Sequence, residues 1–130
     1  MTPEENVRVA RRWVELFNAR DDVEEFVSLH DPEVELQTPG GPRLHGLSEL
    51  RAWFEKEYEN VRTRLIPERF VAGSDTVVGI GRTEIEWIDS GEVAREFESA
   101  GVYWFRGDKI TRWQPFGSHG EALEAAGVRE

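Results

Sequence analysis

Three side chains of this chain could work together in acid–base chemistry: Glu35, Arg82 and Glu84. Two carboxylates on one cavity wall, with a guanidinium between them, form an acid–base set. Desolvation raises a carboxyl pKa and a neighbouring guanidinium lowers it. Unequal exposure to the two influences leaves one Glu protonated and the other ionised near neutral pH. Groups placed this way typically contribute about 10²- to 10⁴-fold each. Other chemistries find no footing. The chain has no Cys, which removes a thiol nucleophile, a disulfide framework and a thiolate metal site. No Gly-rich nucleotide motif of the GxxxxGK[ST] or GxGxxG kind occurs, so no nucleotide cofactor is expected. His30, Asp31 and His45 lack metal-ligand spacing, and no metal is expected either.

Aromatic residues are the second feature. Five Trp, seven Phe and two Tyr in 130 residues are rich for this size and call for a core or cavity with flat, bulky walls. Trp13, Phe17, Phe26, Trp53, Phe54 and Phe97 serve as core or as ligand contacts. Trp113 fits a cavity wall best, through its position and its polar indole N–H. An apolar pocket with a few polar anchors suits a small hydrophobic molecule. Asp and Glu outnumber Lys and Arg by 26 to 16, a net charge of −10, which argues against a nucleic-acid partner. Glu4-Glu5, Glu24-Glu25 and Glu55/Glu57/Glu59 read as solvated helix faces. No apolar run approaches the roughly 20 residues that span a membrane. The N-terminus MTPEENVRVARRW lacks the apolar stretch of a signal peptide, so the cytoplasm is the expected location.

The elements that must hold these residues follow from pattern. Thr2, Pro3, Glu4 and Glu5 start a helix running to Ala19. Val7, Ala10, Trp13, Val14 and Phe17 form its apolar stripe. A short second helix over Val23–Leu29 stops near Asp31-Pro32. Glu33–Thr38 alternates as a strand, and Pro39-Gly40-Gly41-Pro42 is a loop. A third helix is expected over Leu47–Glu59, capped by Ser48, with Leu50, Trp53, Phe54 and Tyr58 on its apolar face. Four strands follow, at Val61–Ala72, Thr76–Ile88, Val93–Phe105 and Lys109–Phe116, joined by turns at Gly73-Ser74-Asp75, Asp89-Ser90-Gly91 and Arg106-Gly107-Asp108. Gly120–Ala126 is a last helix ended by Gly127. Helices first and hairpin-linked strands after give an α+β class, one domain over 1–130.

This order resembles the nuclear transport factor two-like superfamily, most closely its SnoaL-like branch. WVELFNARD, DPEVELQTPGG, GVYWFRGDKITRWQPF and EALEAAG carry the likeness, which covers essentially the whole chain. It implies a cone: N-terminal helices packed on a strongly curved, mainly antiparallel sheet. Limonene-epoxide-hydrolase-like proteins are similar residue by residue. They place Arg-x-Asp on a central strand, Trp-x-Asp on the last strand and Tyr-x-Asn on the first. Arg82-Thr83-Glu84 matches the first pair with Glu for Asp. Trp113-Gln114-Pro115 keeps the Trp and puts proline where the water-activating acid stands. Glu35 takes the Tyr position and Gln37 the Asn position. Against ketosteroid isomerases, the general base falls at Leu36 or Gln37, the helix tyrosine at Trp13 and the second carboxyl near Ser99 or Ala100. The scytalone-dehydratase type needs two pocket histidines, whereas His30, His45 and His119 lie near element ends.

The chemistry of these side chains sets the expected roles: Glu35 as base, Glu84 as acid or partner of Arg82, and Gln37 as water holder, with Trp13, Phe17, Trp53, Phe97, Ser99 and Trp113 contacting substrate. The resemblance bears on their placement. It puts Arg82 and Glu84 inside the cone and leaves Ile85 and Trp87 on the outer sheet face for a homodimer contact. Period-two logic on Thr76–Trp87 says the reverse: Ile85 and Trp87 inward, with Arg82, Glu84 and Glu86 as a solvated ladder. The expected activity is cofactor-free acid–base chemistry on a small hydrophobic substrate: epoxide hydrolysis, isomerisation or polyketide-type cyclisation. One rival is a non-catalytic ligand-binding module on the same fold, favoured by Pro115. A second is a partner-binding protein acting through the outer sheet face.

Overall fold

A computed structural model describes residues 2–38, 41–56 and 59–129. Pro39 and Gly40 of the expected loop, and Glu57 and Tyr58 of the expected third helix, lie outside the described residues. Helix α1 (Pro3–Ala19) begins as its sequence dictates: the Thr2 hydroxyl accepts from the Glu5 N–H, with Glu4 and Glu5 at the positive end of the dipole. It ends at Arg20 in the left-handed region, φ 55°, whose N–H closes on the Leu16 carbonyl. Helix α2 (Val23–Ser28) is capped by Asp22.

Strand β1 (His30–Gln37) starts earlier than the expected Glu33 and runs through Pro32. It tolerates the proline because the pairing with β6 shifts register between His30 and Glu35. A short strand that pattern did not suggest, β2 (Arg43–His45), pairs antiparallel with β1. Helix α3 (Gly46–Glu55) is capped at His45 rather than Ser48 and ends before the expected Glu59. The Glu49 carboxylate, at the fourth helical position, accepts from the His45 N–H at 3.0 Å and ties down the helix start. The remaining elements are β3 (Val61–Ala72), β4 (Thr76–Trp87), β5 (Val93–Arg106), β6 (Lys109–Phe116) and α4 (His119–Ala126). Ser118 caps α4, and Gly127 closes it at φ 70°.

The sheet order is β2-β1-β6-β5-β4-β3. All neighbours are antiparallel except β1 and β6, which run parallel. The N-terminal helices cover one face, with α1 against β3 and β4 and α3 against β1. Here Ala10, Trp13, Val14 and Phe17 meet Phe26, Leu50 and Phe54 from the other helices. Val34, Leu36, Val77, Tyr103, Ile110 and Trp113 rise from the sheet to join them. Helix α4 covers part of the opposite face, where Val78, Ile80, Ala100 and Val102 pack on Ala122.

Alternation along β4 settles which residues face which side. Val77 lies in the inner core and Val78 and Ile80 in the outer one. Gly79, Gly81, Thr83 and Ile85 therefore face the N-terminal helices, and Arg82, Glu84 and Glu86 face away. The expectation that Arg82 and Glu84 point into the cone is corrected, as is the outward placement of Ile85, which lines the inner side; Trp87, beyond the register shift after Ile85, is exposed. The period-two pattern governs because an unbroken ladder from Thr76 to Ile85 allows no switch of face.

Candidate ligand cavity

Between α1, α3 and the inner sheet face lies a cavity of about 860 Å³. Val14 and Phe17 line it from α1, Trp53 from α3 and Leu65 from β3. Gly79, Gly81, Thr83 and Ile85 of β4 contribute, with Phe97, Ser99, Gly101 and Tyr103 of β5. Trp113 and Pro115 of β6 close the far side. Glycines form the middle of its floor and let the walls approach the sheet closely: Gly79 pairs with Gly101 across β4 and β5, and Gly81 with Ser99. Glycine is required at both central positions. At Gly101 a Cβ would come within 2.8 Å of the Trp113 indole nitrogen. At Gly81 the bulged backbone of β3 at Ile66 and Pro67 already fills the space.

Behind the Trp113 wall stands a second aromatic layer. Trp13 is fully buried, stacks on Trp113 at 4.9 Å and meets Tyr103 edge-on at 5.4 Å. Its indole N–H donates to His30 Nε2 at 2.9 Å, so the proton of neutral His30 sits on Nδ1 and is donated to the Phe26 carbonyl at 2.8 Å. Desolvation pushes the His30 pKa down to about 4, against the opposing pull of the Phe26 and Val27 carbonyls.

Most polar groups at the cavity are already engaged. The Thr83 and Ser99 hydroxyls bond each other at 2.7 Å. Thr38 donates to the Pro42 carbonyl at 2.7 Å. Arg20 donates to the Phe17 and Phe54 carbonyls, both at 3.0 Å, and its guanidinium lies 4.4 Å from the centre of the Phe17 ring. Glu49 is held by its helix-start bond. The Tyr103 phenol is buried, and desolvation raises its pKa.

Of the residues expected to contact substrate, Phe17, Trp53, Phe97, Ser99 and Trp113 line the cavity. Trp13 sits one layer behind it. Gln37 is turned away, its amide donating to the Thr38 and Gly41 carbonyls at 3.1 Å each. The proposed acid–base set is not assembled. Glu35 alternates with inward Val34 and Leu36 and stands opposite Arg112 of β6 and His45 of β2. Glu84 belongs to an outer-face ladder, where Arg82 lies 3.6 Å from Glu84 and 3.3 Å from Glu96, and Arg62 lies 3.2 Å from Glu86. Arg82 borders the cavity, but its guanidinium is turned to these carboxylates. Strands β1 and β4 are three places apart in the sheet, about 14 Å at ordinary strand spacing, so Glu35 and Glu84 do not meet.

His30, Asp31 and His45 also stand apart. His30 is held by Trp13, Asp31 lies 3.9 Å from Arg106 and His45 lies 3.2 Å from Glu33. Among the described residues no group of three or more His, Asp or Glu is placed to hold a metal ion. None of the described helices is long and apolar enough to cross a membrane. Residues that sequence reasoning missed are Gly79, Gly81, Gly101 and Tyr103. Glycines inside otherwise regular strands were the available signal, since they mark close approach or a missing wall.

Residues 10–113 match the SnoaL-like domain family. Solved structures similar to the chain include an LEH-like epoxide hydrolase from M. tuberculosis, 12% identical over 95% of this chain and 90% of that one, TM-score 0.72. An NTF2-like protein from Burkholderia xenovorans is 21% identical over 97% and 98%, TM-score 0.68. A candidate polyketide cyclase from Pseudomonas putida is 18% identical over 95% and 97%, TM-score 0.69. No curated protein matches the chain. At these identities the likeness is one of fold, the nuclear transport factor two-like arrangement of helices on a curved sheet.

Proposed function

This chain belongs to the SnoaL-like domain family, and on that premise we propose that it binds a small, largely apolar molecule in the cavity under α1 and α3. One observation carries the reading: a hollow of about 860 Å³ with Phe17, Trp53, Phe97, Tyr103 and Trp113 at its walls. Walls of this kind, with few polar groups, are what a small hydrophobic ligand needs. Binding is supported over turnover by the position of the charges. The acid–base reading needs Glu35 and Glu84 at the ligand, and both lie across the sheet from the hollow. The fold is shared with an epoxide hydrolase and a candidate polyketide cyclase, and such activities need reactive groups at the site itself.

A thermal-shift screen against epoxides, terpenoids, steroids and aromatic polyketides tests the proposal. A ligand at 100 times its Kd adds about 2.7 kcal/mol to stability and raises Tm. Hits should bind without being consumed, and equally well to Glu35→Gln and Glu84→Gln. Turnover that disappears in either variant would restore the acid–base reading. A panel without a single hit would remove the binding one.

A further inference from the structure

One buried donor at the cavity wall is left without a use. Among the described residues, the buried side-chain polar atoms lacking a hydrogen-bond partner are Asn6 Oδ1 and Trp113 Nε1. Asn6 lies in the first turns of α1 and does not line the hollow. Trp113 does, and its Nε1 is pressed over Gly101 on the cavity floor. Trp113 is the cross-strand partner of Tyr103 and offsets part of the phenol's upward pKa shift, yet its indole N–H makes no hydrogen bond. An unmet buried donor costs about 1–3 kcal/mol, so its position invites a partner.

We propose that the ligand carries an acceptor oxygen, a ketone or similar carbonyl, which takes a hydrogen bond from the Tyr103 phenol while the phenol oxygen accepts the Trp113 N–H. A phenol can accept one bond and donate another, so ligand binding completes a chain from indole to phenol to carbonyl. Burial keeps the phenol protonated across the neutral range, ready to donate. Among the other hydroxyls at the cavity, Thr38 is committed to Pro42, and Thr63 and the bonded pair Thr83–Ser99, which keeps one O–H free, have no unmet indole donor behind them. The proposal rests on the cavity being a ligand site, and it specifies which polar group the ligand bears.

Fluorenone and fluorene share one flat skeleton and differ by a carbonyl against a methylene. Their dissociation constants, measured by equilibrium dialysis on the full chain, separate the two levels of the argument. The expected result is fluorenone binding about 3- to 10-fold tighter, the size of one net hydrogen bond. Its bound carbonyl stretch should move to lower frequency than in hydrocarbon solvent. In Tyr103→Phe the affinity ratio should fall to about one and the stretch should return; in Trp113→Phe the ratio should shrink. Equal affinities in the wild type, or a ratio that survives Tyr103→Phe, would overturn the carbonyl proposal and leave the cavity reading standing. If neither compound binds, both fall. The wild-type ratio and the infrared shift decide the matter even if a variant does not fold.

Discussion

The two faces of one sheet have been put to opposite uses. On β4, Gly79, Gly81 and Thr83 look toward the helices, while Arg82, Glu84 and Glu86 look away from them. The inner face is nearly free of charge and is built from rings and bare backbone. The outer face beyond α4 is a ladder of alternating charge. The difference teaches that reactive residue types do not mark a site by themselves. A carboxylate beside a guanidinium on the outer face is taken up by ion pairs, away from any ligand on the inner one. An aromatic shell around a gap offers an apolar molecule walls to pack against.

The sharpest way to break the contrast is Trp13→Ala. It removes a fully buried ring that touches Phe17, Phe26, Tyr103 and Trp113. Urea unfolding should show a loss of about 3–5 kcal/mol. A loss below about 1 kcal/mol would mean that the inner face is not the main core. Next comes acid. Neutral His30, with a pKa near 4 when folded, refuses a proton that the unfolded chain takes near 6.5. Its contribution is therefore intact above about pH 6.5 and is lost as pH falls toward 4, about 3 kcal/mol in all. Unfolding midpoints between pH 7 and pH 4 should trace that slope, and His30→Gln should flatten it.

Smaller still is Gly101→Ala, whose methyl must displace the rigid Trp113 indole. The expected cost is about 1–3 kcal/mol, with weakened ligand binding. An equally stable, equally competent variant would show that the floor has slack. The smallest change is Glu84→Gln on the outer ladder, where Arg82 has a second partner in Glu96. It should move stability by less than about 1 kcal/mol and leave ligand affinity untouched.

Much of this was legible in the chain. The Thr2 cap, the α1 stripe and the four long strands stand where period and turn chemistry put them. Alternation from Thr76 to Ile85 named the faces correctly, whereas likeness to epoxide hydrolases turned Arg82 and Glu84 inward. That likeness matched residue types without the register that decides their direction. The start of β1 was hidden by Pro32, which halts a regular strand but is tolerated where pairing shifts register. With three residues, β2 was too short to show a period. The cavity was not foreseen through its glycines, because a missing side chain leaves no mark on a hydrophobic pattern.

The parallel pairing of β1 with β6 has a further consequence. Leu36 faces its partner Trp113, which follows it far along the chain, only after the intervening elements have been made. Long-range pairing of this kind is slow to nucleate. During synthesis β1 must wait with a bare edge while the hairpins downstream assemble. The hollow closes only when the final strand slots in beside it, so loss of β6 would leave an unfinished, aggregation-prone intermediate rather than a smaller working protein.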